Sequence, residues 1–528
     1  MKAKAEPFPH PDPTTRFQSD PGHNWLLPTA FALSLVWSIL FMCTDLWEFD
    51  IWWHLKSGET IVTQGTIPRQ ALFDYPYHDR AWIDLHWLYE VGQYLLYQAG
   101  GVSLLVISHS LCITIAMVLA VWPCIRRRQW LRAGSLLLLA SFILNRRAIV
   151  RPEAYSYIFL MLYFLLLEAY RRAELSGRRW LYCLPVPLLQ IGWTNTQALS
   201  ILGLGLIGIA IVDEAITQLG KRAGGRCTPL MAVGIMAAVA TLANPYGLRG
   251  ALFPLHLLGV IGGSTPVWKA EITEFAPLVA SLPLWPWPPL VAIVLLICAV
   301  PWHLLSERSQ AAPRHWLLYA IFLVLSLMAV RNVALFCLLG MAMLAQRDHL
   351  WLRGMQDMAE PWRNRIAQRG AIALIALLLL LGGLLVTHRY YPLTDDGRHF
   401  GFGVQEHHYP SRAVDYLVAN KLMGNLFHDL NDGGYLIWRL YPEYRVFIDT
   451  RIDPVIMDVN HFKRYLRMCH DRLYFDQMAE QYEIRVAIIR PRSAHQFDMF
   501  TQVFENNPRW EPVFFDSDES SLLLIRRK

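Results

Sequence analysis

Residues 25–68 read WLLPTAFALSLVWSILFMCTDLWEFDIWWHLKSGETIVTQGTIP. The first part, 25–43, carries no charge. It is long enough to cross a bilayer as one helix, which takes about 20 apolar residues. The stretch after it is no short polar connection. It holds an acid (Asp50), two tryptophans and His54, and its apolar positions Ile51, Leu55, Ile61 and Val62 fall at helical spacing. Gly65 and Pro68 then stop the pattern. The spacing predicts an amphipathic helix lying along the outer leaflet, with Trp52 and Trp53 at the interface.

The rest of the chain agrees with a polytopic membrane protein. Of its 528 residues, 54% are hydrophobic and 17% charged, a balance outside the soluble range. The formal charge of +6 comes from cations clustered between apolar runs, so topology explains it and nucleic acid is not implied. The eight cysteines show neither a disulfide framework nor zinc spacing. Residues 1–24 are polar and Pro-rich, and read as a disordered cytoplasmic lead.

Apolar runs predict about eleven crossings. They lie near 25–44, 102–123, 131–149, 153–170, 180–193, 198–217, 229–243, 286–304, 316–330, 332–346 and 370–387. Basic clusters at 126–128, 171–179, 221–226, 307–314 and 347–369 share one side if the N-terminus is cytoplasmic. The loop 45–101, the loop 244–284 and everything after 387 are then outside. This gives a transmembrane domain over 25–387 and an extracytoplasmic α/β domain over 388–528. In that tail "YRVFIDTR", "IRVAIIR" and "SLLLIRR" read as strands. "SRAVDYLVANKL", "HFKRYLRMCHDRLYFDQMAEQY" and "AHQFDMFTQVFENN" read as helices, and "NDGGY" (431–435) as a turn.

The loop 45–101 is too long to be structureless. A second helix starts at "DLHWLYEVGQYLLYQAGG" and leads into the second crossing. Asp50 and His54 are four apart, as are His86 and Glu90, so each pair shares a helix face. If the faces converge, the four residues could hold a divalent cation such as Mg²⁺ or Mn²⁺, with Asp84 nearby. Asp50, at the membrane–water boundary, is also a candidate general base. A single such pair reads as a solvated surface pair; two of them in Trp-rich helices flanking one loop point to a site.

"DIWWHLKSGETIVTQGTIPRQALFDYPYHDRAWIDLHWLYE" (50–90) resembles the first outer loop of glycosyltransferase C (GT-C) superfamily enzymes, such as protein O-mannosyltransferases and lipid A aminoarabinose transferases. Where that loop has adjacent acids, this one has Asp50 followed by Ile51, with Glu48 and Asp45 upstream. The chain also resembles a bacterial polytopic membrane protein family through "RPEAYSY" (151–157), "WTNTQ" (193–197), "NPYGLR" (244–249) and the closing "GGYLIWRL" and "VFIDTR". The resemblance implies an α-helical, GT-C-like protein of the bacterial cytoplasmic membrane. It also implies a polyprenyl-phosphate-linked sugar donor and a glycan, lipid or protein acceptor.

Such a donor needs cations at its phosphate, and arginine's planar fork suits that role. Arg146, Arg147, Arg151, Arg249 and Arg331 all fall on the expected outer side, against the usual bias. Trp193, Asn195 and Gln197, at an outer turn, are candidates for sugar contact or for capping the turn. Glu271 and Glu274 are expected to help line the acceptor side or to face water, and Asp449, Arg451 and Asp453 to form an ion-pair turn or a ligand edge. Two functions stand: a membrane glycosyltransferase with Asp50 as base, or a non-catalytic subunit for assembly or translocation of surface polysaccharide. An ion-coupled transporter would need ionisable residues in mid-span, and here they sit at span ends.

Overall fold

The computed structural model describes residues 25–76, 80–173, 179–219, 227–262, 273–306, 312–346, 360–451, 459–492 and 494–527. The first helices are α1 (Leu26–Phe41), α2 (Asp50–Gln64), α3 (Trp87–Arg126), α4 (Trp130–Leu144) and α5 (Glu153–Arg172). Next along the chain are α6 (Pro185–Thr194), α7 (Ile201–Leu219), α8 (Cys227–Ala240) and α9 (Leu248–Gly262). Further apolar helices span Trp287–Ser306, Pro313–Met328, Val333–Gln346 and Glu360–Val386.

Every expected crossing overlaps a helix, but not all are full spans. Five described helices are long and apolar enough to cross a bilayer, and shorter apolar helices of 10–17 residues accompany them. The count of about eleven crossings is therefore not reproduced helix for helix. The run at 180–193, for instance, is met by α6, which has only 10 residues, whereas 198–217 is a full-length apolar helix. The body is helical, with apolar helices suited to membrane insertion. Some described helices have no counterpart in the apolar pattern: α9 occupies part of the loop 244–284, its run interrupted by Pro254.

Local chemistry explains the first loop. Asp50 opens α2, where a carboxylate faces the positive end of the helix dipole. Gly65 closes it in the left-handed conformation (φ 67°), donating its N–H to Ile61 O at 2.9 Å. In α3 the helical path breaks at Gly101 (φ 62°, ψ −156°), a conformation open to glycine alone. The break separates a loop-side segment from the apolar crossing.

Helix α2 is not laid on a leaflet. Trp52 and Trp53 are buried, and Trp52 packs edge-on against Tyr409 and Tyr435 of the tail, with ring centroids 5.4 Å away in both cases. On its other side α2 meets α3 so closely that a Cβ on Gly58 would lie 2.2 Å from Glu90 O. The helix is sandwiched because the tail covers the face that would otherwise meet lipid.

The tail carries a four-stranded sheet of order β1-β2-β4-β3: β1 (Asn425–His428), β2 (Ile484–Ile489), β3 (Trp510–Asp516) and β4 (Ser521–Arg526). β1 runs parallel to β2, and the other pairings are antiparallel. "IRVAIIR" and "SLLLIRR" form β2 and β4 as expected; β1 and β3 are additional strands. "YRVFIDTR" is not a sheet strand. Its Val446 exchanges backbone bonds with the first loop instead, donating to Phe73 O (2.9 Å) and accepting from Tyr75 N (3.1 Å). "NDGGY" is the start of helix Gly433–Leu440 rather than a turn. Gly434 packs there against Phe49, whose carbonyl a Cβ would approach to 2.5 Å.

Candidate functional site

The first loop, the loop-side ends of the membrane helices and the tail surround a cavity of about 560 Å³. One wall is apolar, with Leu199, Ile201, Phe253, Pro254 and Leu257 from α7, α9 and the turn before α7. Another part of the lining, an ionic wall, is charged and polar. It includes Glu48, Asp50, Arg151, Glu153, Glu274 and Arg331, and the tail contributes Asn431, Thr450 and Arg451.

The ionic wall is one connected network. Arg147 belongs to the 3₁₀ turn after α4, Arg151 precedes α5, and Glu153 begins α5. Arg151 bonds Glu48 through Nε (2.6 Å) and Nη2 (2.5 Å), Asp50 Oδ2 through Nη2 (2.9 Å), and Glu274 Oε1 through Nη1 (2.5 Å). Arg147 reaches Glu153 at 2.7 Å and Glu274 at 3.0 Å, and Arg331 reaches Glu153 at 2.7 Å. The second oxygen of Asp50 accepts the Thr450 hydroxyl. Asp50 thus joins the membrane body to the tail.

Three guanidinium groups meet four carboxyl groups. Burial pushes the Glu48 carboxyl up to about 8, against the pull of Arg151 and helped by Asp50. With Glu48 protonated at neutral pH, three charges of each sign balance. Burial by itself would raise Glu274, but Arg147, Arg151 and Arg331 together hold it well below the usual carboxylate range. Arg147 and Arg151 are correspondingly raised despite burial, by Glu153 and Glu274 for Arg147 and by Asp50 and Glu274 for Arg151. Buried pairs of this kind resist loss of one partner far more than they add net stability.

The expected cation ligands do not converge. Asp50 is engaged by Arg151 and Thr450. His54 Nδ1 pairs with Glu90 Oε1 at 2.9 Å, both side chains buried, and the His86 ring lies 5.5 Å from that of His54. Burial, with His86 and Arg151 nearby, holds His54 well below its ordinary value, so it is neutral. Among the described residues no group of three or more His, Cys, Asp or Glu side chains is arranged to hold a metal ion. The four residues therefore do not fit a four-ligand cation site.

The expected phosphate ligands divide. Arg151 and Arg331 line the cavity and Arg147 is bonded to their partners. Arg146 instead pairs with Asp396 at 3.0 Å and lies over Trp285. Arg249 is exposed at the start of α9 and does not line the cavity. The candidates for sugar contact are mostly structural. Trp193 is fully buried, donates to Ser156 Oγ at 2.8 Å and stacks on Phe159, so it cannot meet a sugar. Asn195 accepts from Trp87 Nε1 and donates to Ala243 O, tying three segments together. Gln197 lines the cavity, with its Oε1 accepting Leu199 N–H.

Arg451 is a clamp. Its guanidinium bonds Asp449 through two nitrogens and Asp74 at 2.9 Å, and lies over the neighbouring rings of Phe73 (5.0 Å) and Trp82 (4.9 Å). Glu271 and Asp453 lie outside the described residues. Glu274, read as facing water or lining the acceptor side, is part of the ionic wall. Glu48, noted only as an acid upstream of Asp50, and Glu153 and Thr450, which the sequence does not single out, are site residues. "EFD" (48–50) and "RPE" (151–153), each an acid beside an already suspected residue, carry a signal for the first two; Thr450 has none.

No family model matches the chain, and no curated protein matches it in sequence. Solved structures do share its fold. The oligosaccharyltransferase of Archaeoglobus fulgidus in its apo form superposes with a TM-score of 0.56 at 11% identity, over 91% of this chain and 72% of that one. The same enzyme in complex with Zn and sulfate gives a TM-score of 0.51 at 11% identity, over 95% and 73%. At that identity the likeness is one of fold.

Proposed function

We propose that the protein is a membrane glycosyltransferase that moves a sugar from a polyprenyl-phosphate donor to the hydroxyl of a glycan, lipid or protein acceptor. One observation carries the reading: Asp50, the guanidinium groups of Arg151 and Arg331, and an apolar wall face a single cavity. A prenyl chain needs the apolar wall, a phosphate needs the guanidinium forks, and displacement at a sugar carbon needs a base for the acceptor.

In this reading the donor phosphate takes over Arg151 and Arg331 from their carboxylates. Asp50, relieved of Arg151 but still held by Thr450, accepts the proton of the acceptor hydroxyl. The hydroxyl oxygen bonds the anomeric carbon as the bond to the phosphate oxygen breaks. The phosphate leaves with the electron pair, and the guanidinium groups offset its charge. The sugar carbon is inverted. No ligands are assigned to a divalent cation, since Asp50, His54, His86 and Glu90 do not form one ligand set. The site faces the exterior of a bacterial cytoplasmic membrane, with the N-terminus inside and the tail outside; the basic clusters of the loops support this orientation.

The test is Asp50→Asn, assayed with a panel of short-chain polyprenyl-phosphate sugars. Transfer should fall about 10²-fold or more in protein that still folds and elutes as a single species, and full activity in the variant rejects the role. A non-catalytic assembly or translocation role is favoured by a different observation: both oxygens of Asp50 and all three guanidinium groups are already engaged. It predicts that polysaccharide output survives Asp50→Asn.

A further inference from the structure

The carboxylates around Arg147, Arg151 and Arg331 are not held alike. Glu48 is buried and also accepts Ile51 N–H at 2.9 Å. Glu153 is buried at the start of α5, bridges Arg147 and Arg331 at 2.7 Å each, and accepts the Tyr157 hydroxyl. Asp50 is anchored by Thr450. Glu274 stands on a three-residue 3₁₀ turn, Thr273–Phe275, with its side chain 20% exposed. Among the described residues its hydrogen bonds and ion pairs all go to Arg147 and Arg151.

We propose that Glu274 Oε1, 3.0 Å from Arg147 Nη1 and 2.5 Å from Arg151 Nη1, marks the seat of an anionic phosphate oxygen of the ligand, which Glu274 occupies until the ligand displaces it. The inference rests on the reading that the cavity takes a phosphate-bearing ligand. Two guanidinium donors from separate positions converge on one oxygen, and a phosphate offers the same kind of charge-assisted bond as a carboxylate. Exchanging one anion for another leaves both arginines paired, so neither is stranded in a buried setting. Of the four carboxylates, Glu274 has the fewest other anchors and so leaves first. Its turn is coupled to the third arginine: Val330 N–H donates to Ala276 O at 3.0 Å, and the Arg331 guanidinium lies 5.2 Å from the Phe275 ring centre. Displacement of Glu274 therefore also shifts the support of Arg331.

Farnesyl phosphate is the probe, with farnesol as the control lacking the anion. Binding to the full-length protein in detergent is measured by calorimetry for wild type, Glu274→Gln and Glu274→Asp. Losing the internal competitor should tighten farnesyl phosphate about tenfold in Glu274→Gln. Farnesol affinity should be unchanged. Glu274→Asp, with a shorter reach, should fall between; it carries the test if the glutamine variant does not fold. Equal or weaker binding of farnesyl phosphate by the variants overturns the inference but leaves the phosphate reading standing. If wild type and variants all bind farnesyl phosphate no better than farnesol, the phosphate reading itself fails.

Discussion

Arg151→Met removes the hub of the ionic wall. Arg151 serves Glu48, Asp50 and Glu274 at once, through Nε, Nη1 and Nη2. Its loss does not strand all three. Glu48 is held up to about 8 by burial and is neutral at pH 7, and Glu274 keeps Arg147 at 3.0 Å. Asp50 is left with only the Thr450 hydroxyl, its side chain 16% exposed. A stranded buried charge costs about 3–5 kcal/mol, and the partial exposure of Asp50 places this case near the lower end. Arg151→Lys keeps the charge but not the fork, so it should lose roughly half as much. In the double variant Arg151→Met/Asp50→Asn the stranded charge is gone, and a coupling of about 1–2 kcal/mol should reappear as recovered stability. Chemical unfolding of the purified protein in detergent, monitored by tryptophan fluorescence, supplies the ranking. Strict additivity of the two single variants, or an Arg151→Met midpoint equal to wild type, would refute the network.

Two other outcomes arise from the same geometry. Because Glu48 binds its proton more tightly in the folded than in the unfolded protein, its contribution is present at low pH and is lost as pH rises from about 4.5 toward 8; thermal midpoints should drop across that window in wild type and drop less in Glu48→Gln. Gly58→Ala drives a Cβ to 2.2 Å from the backbone oxygen of Glu90 and should cost about 1–3 kcal/mol or more, read as a lower unfolding midpoint and a broadened gel-filtration peak.

The apolar helices, the existence of α2 and its stop at Gly65 are legible in the residues, because apolar runs and glycine stops act within a few turns of chain. Asp50, Arg151 and Arg331 are legible as charge in unusual places. The partners are not. Glu48 meets Arg151 across 103 positions, and Thr450 meets Asp50 across 400. No local pattern encodes such a meeting. The same limit misplaces Trp193, whose ring suits a sugar or a core equally until its neighbours are known, and "YRVFIDTR", whose alternation is satisfied by the first loop rather than by the sheet. Local sequence determined which segments are helices and which residues carry charge into them. Only the packing of tail against loop decided which charges neutralise each other, because an ion pair depends on distance in space and not on distance along the chain.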